Sequence, residues 1–187
     1  MPMGEQFGGV LAAAKTGTEW ALTVLYREFQ PGLLRYLRAQ APADGEDLAA
    51  DVWLAAAAGL GRFEGEELGF RSWLFTIAHR RLVDLRRNKA RQKALIDSLE
   101  SSNRRNTASC EDEVLVTSST EAALALIAQL PADQAEIVLL RVIGGLDAAE
   151  VGTMVGKTPG AVRVLQHRAL ERLARRLAEE RRRSVTG

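Results

Sequence analysis

The chain is poor in the residues that staple or decorate small proteins. A single cysteine, Cys110, excludes an internal disulfide, and with only His79 and His167 beside it there is no cluster with metal-ligand spacing, so neither structural zinc nor any other metal or cofactor is expected. No apolar run approaches the roughly 20 residues of a membrane span, which argues against membrane insertion. The opening MPMGEQFGGVLAAAKTG lacks a basic start, and its apolar patch VLAAA is too short for a signal peptide, so a cytoplasmic protein is expected. Aromatic residues make up 5% of the chain. Paired carboxylates, a metal cluster and a Ser/Cys–His arrangement in a supporting context are all missing, which speaks against an enzyme. Strand-like alternation between turn signals is also hard to find.

Charge is present in quantity but sorted along the chain. The 187 residues carry a net charge of +1, yet between positions 42 and 69 seven acids stand against one base, Arg62. Between positions 70 and 93 eight bases face only Asp84, and between 157 and 183 nine bases oppose three glutamates. Two basic stretches with an acidic one beside the first suit two polyanion contacts and a separate basic partner.

Apolar residues recur three and four apart, the period of helices that bury one face. Helices are expected at about 18 to 40, 44 to 60, 70 to 90, 120 to 129, 132 to 143, 147 to 155 and 159 to 180. Between the third and fourth lies a stretch rich in Ser, Asn, Thr and charge, with no sustained apolar face. The reading is an all-α protein of two small helical domains, residues 1–95 and 120–187, joined by a flexible linker at 96–119. Each domain is small but viable for helical packing.

The second domain carries the sharpest local signals. Asp147 followed three residues later by Glu150 forms a capping box, which starts a helix. Gly156 supplies a left-handed C-terminal residue, and Thr158 with Pro159 gives an N-cap and a first-turn proline for the next helix. A short helix, a tight glycine turn and a longer helix make a helix-turn-helix. On a wheel at 100° per residue, Val162, Leu165, Ala169, Leu170, Leu173 and Leu177 share one arc. The opposite face, with Thr158, Ala161, Arg163, Val164, His167 and Arg168, is the candidate DNA surface, because a recognition helix puts its first turns into the major groove. Gly152 fits the demand for a small residue where the two helices cross closely.

The stretch FRSWLFTIAHRRLVDLRR at 70–87 divides on the same wheel. Phe70, Trp73, Leu74, Ile77, Ala78, Leu82 and Leu85 form the packing arc, and Thr76, His79, Arg80, Asp84, Arg86 and Arg87 lie opposite. Arg81 falls inside the apolar arc, so either its stem is buried with its head at an edge, or something else contacts the helix there. Aromatic rings beside a basic face suit single-stranded or partly opened nucleic acid, since bases stack on rings while arginines hold phosphate.

These two motifs together resemble a family. PADGEDLAADVWLAAAAGLGRF followed by FRSWLFTIAHRRLVDLRR is similar to region 2 of the bacterial extracytoplasmic-function (ECF) sigma factors, and LPADQAEIVLLRVIGGLDAAEVGTMVGKTPGAVRVLQHRALERL to their region 4. The resemblance implies a polymerase-docking helix at 44–60 that meets the β′ clamp helices through Asp44, Asp47, Asp51 and Trp53. It implies that the loop at 61–69, with Arg62 and Phe63, captures a flipped base of the minus-10 element. His79, Arg80, Arg81, Arg86 and Arg87 would then serve minus-10 reading and melting, with Trp73 chiefly packing, while the recognition helix reads the minus-35 element. Core RNA polymerase, through its β′ clamp helices and β flap, promoter DNA and an anti-sigma factor are the implied partners. Two positions depart from the common pattern: Arg80 stands where the family often has asparagine, and Leu165 where it often has a basic residue. A free-standing helix-turn-helix regulator is the rival reading, and it leaves the acidic-then-basic N-terminal pattern without a purpose.

Overall fold

The structure is a computed structural model that describes residues 3–100 and 119–186. Every element in it is helical: a 3-10 turn at Gly4–Gln6, then α1 Phe7–Lys15, α2 Glu19–Gln40, α3 Gly45–Leu60, α4 Glu67–Glu100, α5 Ser119–Ala128, α6 Ala132–Val142, α7 Ala148–Val155 and α8 Pro159–Thr186. Most of the linker segment and Cys110 lie outside the described residues.

The central helix is α2. Ala21, Leu25, Phe29, Leu33, Tyr36 and Leu37 repeat at helical spacing and are all buried. Against that stripe pack Leu48, Ala49, Val52, Ala56 and Leu60 of α3 and Phe70, Leu74, Phe75, Ala78 and Leu82 of α4. Phe70 sits in an aromatic cluster, its ring centroid 5.0 Å from Phe29, 5.4 Å from Phe63, 5.5 Å from Trp73 and 5.8 Å from Phe7.

Phe7 belongs to a helix absent from the sequence reading. In α1, Phe7, Val10, Leu11 and Ala14 fall on one face and are buried against the core. The spacing is an ordinary amphipathic one, masked by the adjacent Gly8 and Gly9, which lower helix propensity. Two further differences concern α4. It begins at Glu67 rather than Phe70, with the Glu67 carboxylate accepting a hydrogen bond of 2.9 Å from the Gly4 backbone N–H. It also runs on to Glu100, five residues into the stretch read as linker, with residues 87–97 exposed.

The C-terminal unit, α5 to α8, is organised around α6, whose residues 134, 135 and 137–140 are all buried while Val142 at its end is exposed. Ala135 and Val138 join Leu130 and Ala169 of α8 in a small cluster of their own. Ile137, Leu139 and Leu140 belong instead to the large core cluster that runs from the N-terminal unit into Leu146, Ala148, Val151 and Val162. A helix with apolar residues on more than one face must be covered on more than one face. The N-terminal unit supplies the second cover, so the two units pack together rather than merely share a chain.

Candidate nucleic-acid and polymerase interfaces

The helix-turn-helix forms as its capping residues dictate. The Asp147 carboxylate accepts from the backbone N–H groups of Ala149 (2.7 Å) and Glu150 (2.8 Å), and the Glu150 carboxylate accepts from the Asp147 N–H at 2.7 Å. The backbone donors of Glu150 and Ala149 hold the Asp147 carboxyl below its ordinary pKa. Gly156 takes the left-handed conformation at φ 68° and ψ 35°, and the Thr158 hydroxyl accepts from Ala161 N–H at 3.2 Å to cap α8. Gly152 is tied to the turn rather than to a helix crossing: a β-carbon there would stand 2.5 Å from the Lys157 carbonyl oxygen. The same turn is closed by a hydrogen bond from Lys157 N–H to the Gly152 carbonyl, 2.9 Å long.

On α8 the proposed reading face is open. Arg163, Val164, His167 and Arg168 are exposed, Thr158 is exposed and Ala161 half-buried. His167 lies 3.3 Å from the Glu171 carboxylate one turn on. The packing arc is narrower than the wheel suggested. Val162 and Ala169 are fully buried and Leu165 and Leu173 partly so, whereas Leu170 is 46% and Leu177 43% exposed, since α8 projects past the helices that cover its first turns.

On α4 the outcome is mixed. Arg80, Arg81 and Arg87 are exposed. Arg81 is therefore no buried cation: the covered arc centres on Leu74, Phe75, Ala78 and Leu82, leaving Ile77 and Arg81 at its edge. Phe75, outside the packing arc named from the wheel, is buried, its ring 5.5 Å from Tyr36. His79 does not face solvent. Its Nδ1 donates to Glu136 Oε1 of α6 at 2.8 Å, and that same oxygen accepts from the Tyr36 hydroxyl at 3.3 Å. Arg86 reaches the other carboxylate oxygen at 4.0 Å and donates to Gln40 Oε1 at 2.6 Å. Burial would raise the Glu136 carboxyl, but the His79 hydrogen bond and the His79 and Arg86 charges outweigh it and hold its pKa below the ordinary value. Burial, reinforced by the Glu136 charge, pushes the Tyr36 phenol well up. Glu136 is the residue the sequence reading missed. It sits in an apolar run, AEIVLL, where a lone carboxylate among buried residues is itself a signal of a specific partner.

The loop after α3 is anchored by Phe63, half-buried with its ring 5.1 Å from Trp73, while Arg62 is exposed. On α3 itself, Asp47, Asp51 and the 70%-exposed Leu54 share a face at helical spacing. Asp47 and Asp51 have no ion-pair partner among the described residues, in contrast to Asp44, whose carboxylate receives Lys89 Nζ at 2.6 Å, and Glu46, which pairs with Arg38. Trp53 donates to Gln30 Oε1 at 2.7 Å and its ring stands 5.2 Å from Tyr26. Both rings line an apolar groove of about 420 Å³ between α2 and α3.

Comparison with known proteins agrees with this geometry. Residues 25–92 match the sigma-70 region 2 family and residues 120–173 the sigma-70 region 4 family. The ECF RNA polymerase sigma factor ShbA of Streptomyces griseus is 37% identical over 183 residues, covering 92% of this chain and 95% of that protein. SigD of Mycobacterium tuberculosis, also an ECF RNA polymerase sigma factor, is 34% identical over 176 residues, covering 91% and 83%. The chain belongs to the ECF RNA polymerase sigma factors. Its relatives are initiation factors rather than enzymes. The fold is shared with the sigma factor RpoE of Bartonella quintana, solved with the anti-sigma factor NepR (TM-score 0.64, 22% identity, covering 83% of this chain and 96% of that one). It is shared likewise with CnrH, solved with the cytosolic domain of CnrY (TM-score 0.63, 21% identity, covering 94% and 99%).

Proposed function

We propose that the chain binds core RNA polymerase and directs it to promoters, reading the minus-35 element with α8 and the minus-10 element with α4 and the loop before it. The observation that carries this reading is the capped helix-turn-helix, with Arg163, Val164, His167 and Arg168 exposed on its outer face, in one chain with the acidic face of α3. A recognition helix alone suits any regulator; the unpaired Asp47 and Asp51 beside an exposed Leu54 suit a basic partner helix, the β′ clamp. The β flap is the corresponding partner of the C-terminal unit.

In the major groove, Arg163 and His167 supply donors to base edges, and Val164 meets a thymine methyl. Arg168 meets phosphate, a contact that fixes register without reading sequence. In the N-terminal unit, Arg62, Arg80, Arg81 and Arg87 hold the backbone of the opened strand. Extruding a base costs a few kcal/mol, which stacking and pocket contacts near Phe63 must offset. The protein itself performs no bond chemistry in this scheme; the polymerase does. It acts in the cytoplasm, and no helix among the described residues is long and apolar enough to cross a membrane. An anti-sigma factor that covers these faces is its expected inhibitor.

Adding the purified chain to core polymerase should produce promoter-dependent run-off transcripts. If no complex with core forms and the chain alone protects a specific duplex, it is a free-standing regulator instead. Replacing Asp47 and Asp51 by lysine weakens binding to core; an unchanged affinity removes α3 from that role.

A further inference from the structure

We propose that, within the function given above, α1 positions the loop before α4 for base capture: Phe7, acting through Phe70, holds the Phe63 ring on which that loop is folded, and so sets how selectively a flipped minus-10 base is taken. The sigma-70 region 2 match begins at residue 25, so α1 lies outside it.

The loop between α3 and α4, residues 61–66, reads GRFEGE and has one apolar side chain, Phe63. Backbone hydrogen bonds hold its two ends. Arg62 and Phe63 N–H donate to the carbonyls of Gly59 and Leu60 at 3.0 and 3.1 Å, and Phe70 N–H donates to the Glu66 carbonyl at 2.9 Å. Between those ends the backbone folds over the Phe63 ring: at Gly65, with φ 148°, a β-carbon would stand 3.1 Å from that ring. Arg62, Glu64 and Glu66 are exposed, so the polar groups that can meet a base are displayed from a single hydrophobic anchor.

Aromatic packing fixes the anchor. Phe63 meets Phe70 edge-on, with ring centroids 5.4 Å apart and planes at 88°, and lies 5.1 Å from Trp73. Phe70 in turn meets Phe7 at 5.8 Å, and both of those rings are buried. A close-packed interior transmits strain, so a void at Phe7 is answered by movement of Phe70 and of the ring that rests on it. A second tie starts three residues earlier. The Gly4 N–H bonds to the carboxylate of Glu67, the first residue of α4, at the point where loop becomes helix. The other Glu67 oxygen stands 3.8 Å from Arg71, whose guanidinium lies over the Phe29 ring at 5.1 Å. Residues 4–7 thus hold both the anchor of the loop and its exit. A binding constellation works when its supporting residues keep it within about 0.5 Å of the productive geometry, and here the support comes from α1.

An α1 that only filled the core would behave differently. Loss of Phe7 would then lower the folded fraction and scale transcription from every promoter by one factor, whereas a positioning residue changes the ratio between promoters.

The test is run-off transcription by core polymerase with the full chain, on templates carrying each of the four bases at the captured minus-10 position. Phe7→Ala should narrow the ratio of preferred to other templates about tenfold, the scale of one specific base contact, while affinity for core and minus-35 discrimination stay parental. Phe7→Leu keeps an apolar side chain in the site and should narrow the ratio less; it carries the test if Phe7→Ala does not fold. A parental ratio, with output scaled down equally on every template, would overturn the proposal. So would a parent that transcribes all the templates equally, because the loop would then select no base. Amide hydrogen exchange on the polymerase-free chain is the second measurement. Phe7→Leu should speed exchange severalfold at residues 62–66 and leave α7 and the first turns of α8 at the parental rate. Unchanged exchange in the loop, or equal acceleration everywhere, would overturn the positioning role. A parent that directs no promoter-dependent transcription would sink the sigma assignment instead, and the exchange measurement would still decide whether α1 holds the loop.

Discussion

The two long basic helices, α4 and α8, resemble each other in sequence and differ in situation. Each sets an apolar arc against an arginine-rich one. In α8 the arginine arc is open and the apolar arc only partly covered, down to the exposed Leu170 and Leu177. In α4 the apolar arc is enclosed at Phe70, Leu74, Ala78 and Leu82 and half-covered at Trp73, Ile77 and Leu85, and His79 of the polar arc is covered too, because Glu136 of α6 meets it. A basic stripe thus says that a helix is suited to polyanions, while neighbours decide whether it is available to them.

Mutations can break or sharpen that contrast. The largest effect is expected from Phe75→Ala on α4, which removes a ring buried among Tyr36 and its neighbours and should cost about 3–5 kcal/mol in urea unfolding. Leu170→Ala on α8 should stay within about 0.5 kcal/mol, and an equal loss at both sites would mean that α8 is covered as α4 is. Next comes Gly152→Ala, whose added methyl meets the Lys157 carbonyl and should destabilise by about 1–3 kcal/mol through overpacking. Duplex binding by α8 should weaken with it, because the turn sets the entry angle of the helix.

Nucleic-acid contacts give a finer separation. Arg163→Ala should lose about 1–3 kcal/mol of discrimination at a single minus-35 position in competition binding. Arg80→Ala and Arg81→Ala should instead reduce open-complex formation, seen by permanganate footprinting, more than binding to core. Equal loss of both would make these arginines structural. The smallest effect is expected from acid. The Glu136 carboxyl is held below its ordinary pKa by groups of the N-terminal unit, His79 and Arg86 from α4 and Tyr36 from α2. Its contribution is complete above the ordinary carboxyl pKa and is lost as pH falls through the depressed one. Stability in urea should therefore drop on acidification, with a flatter profile in Glu136→Gln.

What the sequence made legible was local. Asp147, Glu150, Gly156, Thr158 and Pro159 act on backbone groups within four residues, and each performs the role its chemistry requires. The spacing in α2 and α3 was equally direct. The misses share a longer range. Phe7 has meaning only against Phe70, and Arg81 is exposed because α2, α3 and α7 set the buried arc of α4 towards Phe75. The Tyr36–Glu136 contact joins residues 100 positions apart, and no helical period reports such a pairing. Only the oddity of a carboxylate within AEIVLL hinted at it.

The double-sided burial of α6 has a further consequence for handling the protein. Separating the units uncovers aromatic and aliphatic surface on both at once, Tyr36 and Phe75 on one side and residues of the Ile137 to Leu140 run on the other. Contiguous patches of that kind drive self-association. A chain whose units have parted should therefore be poorly soluble, and a variant that weakens the packing of α6 should reveal itself first by precipitation.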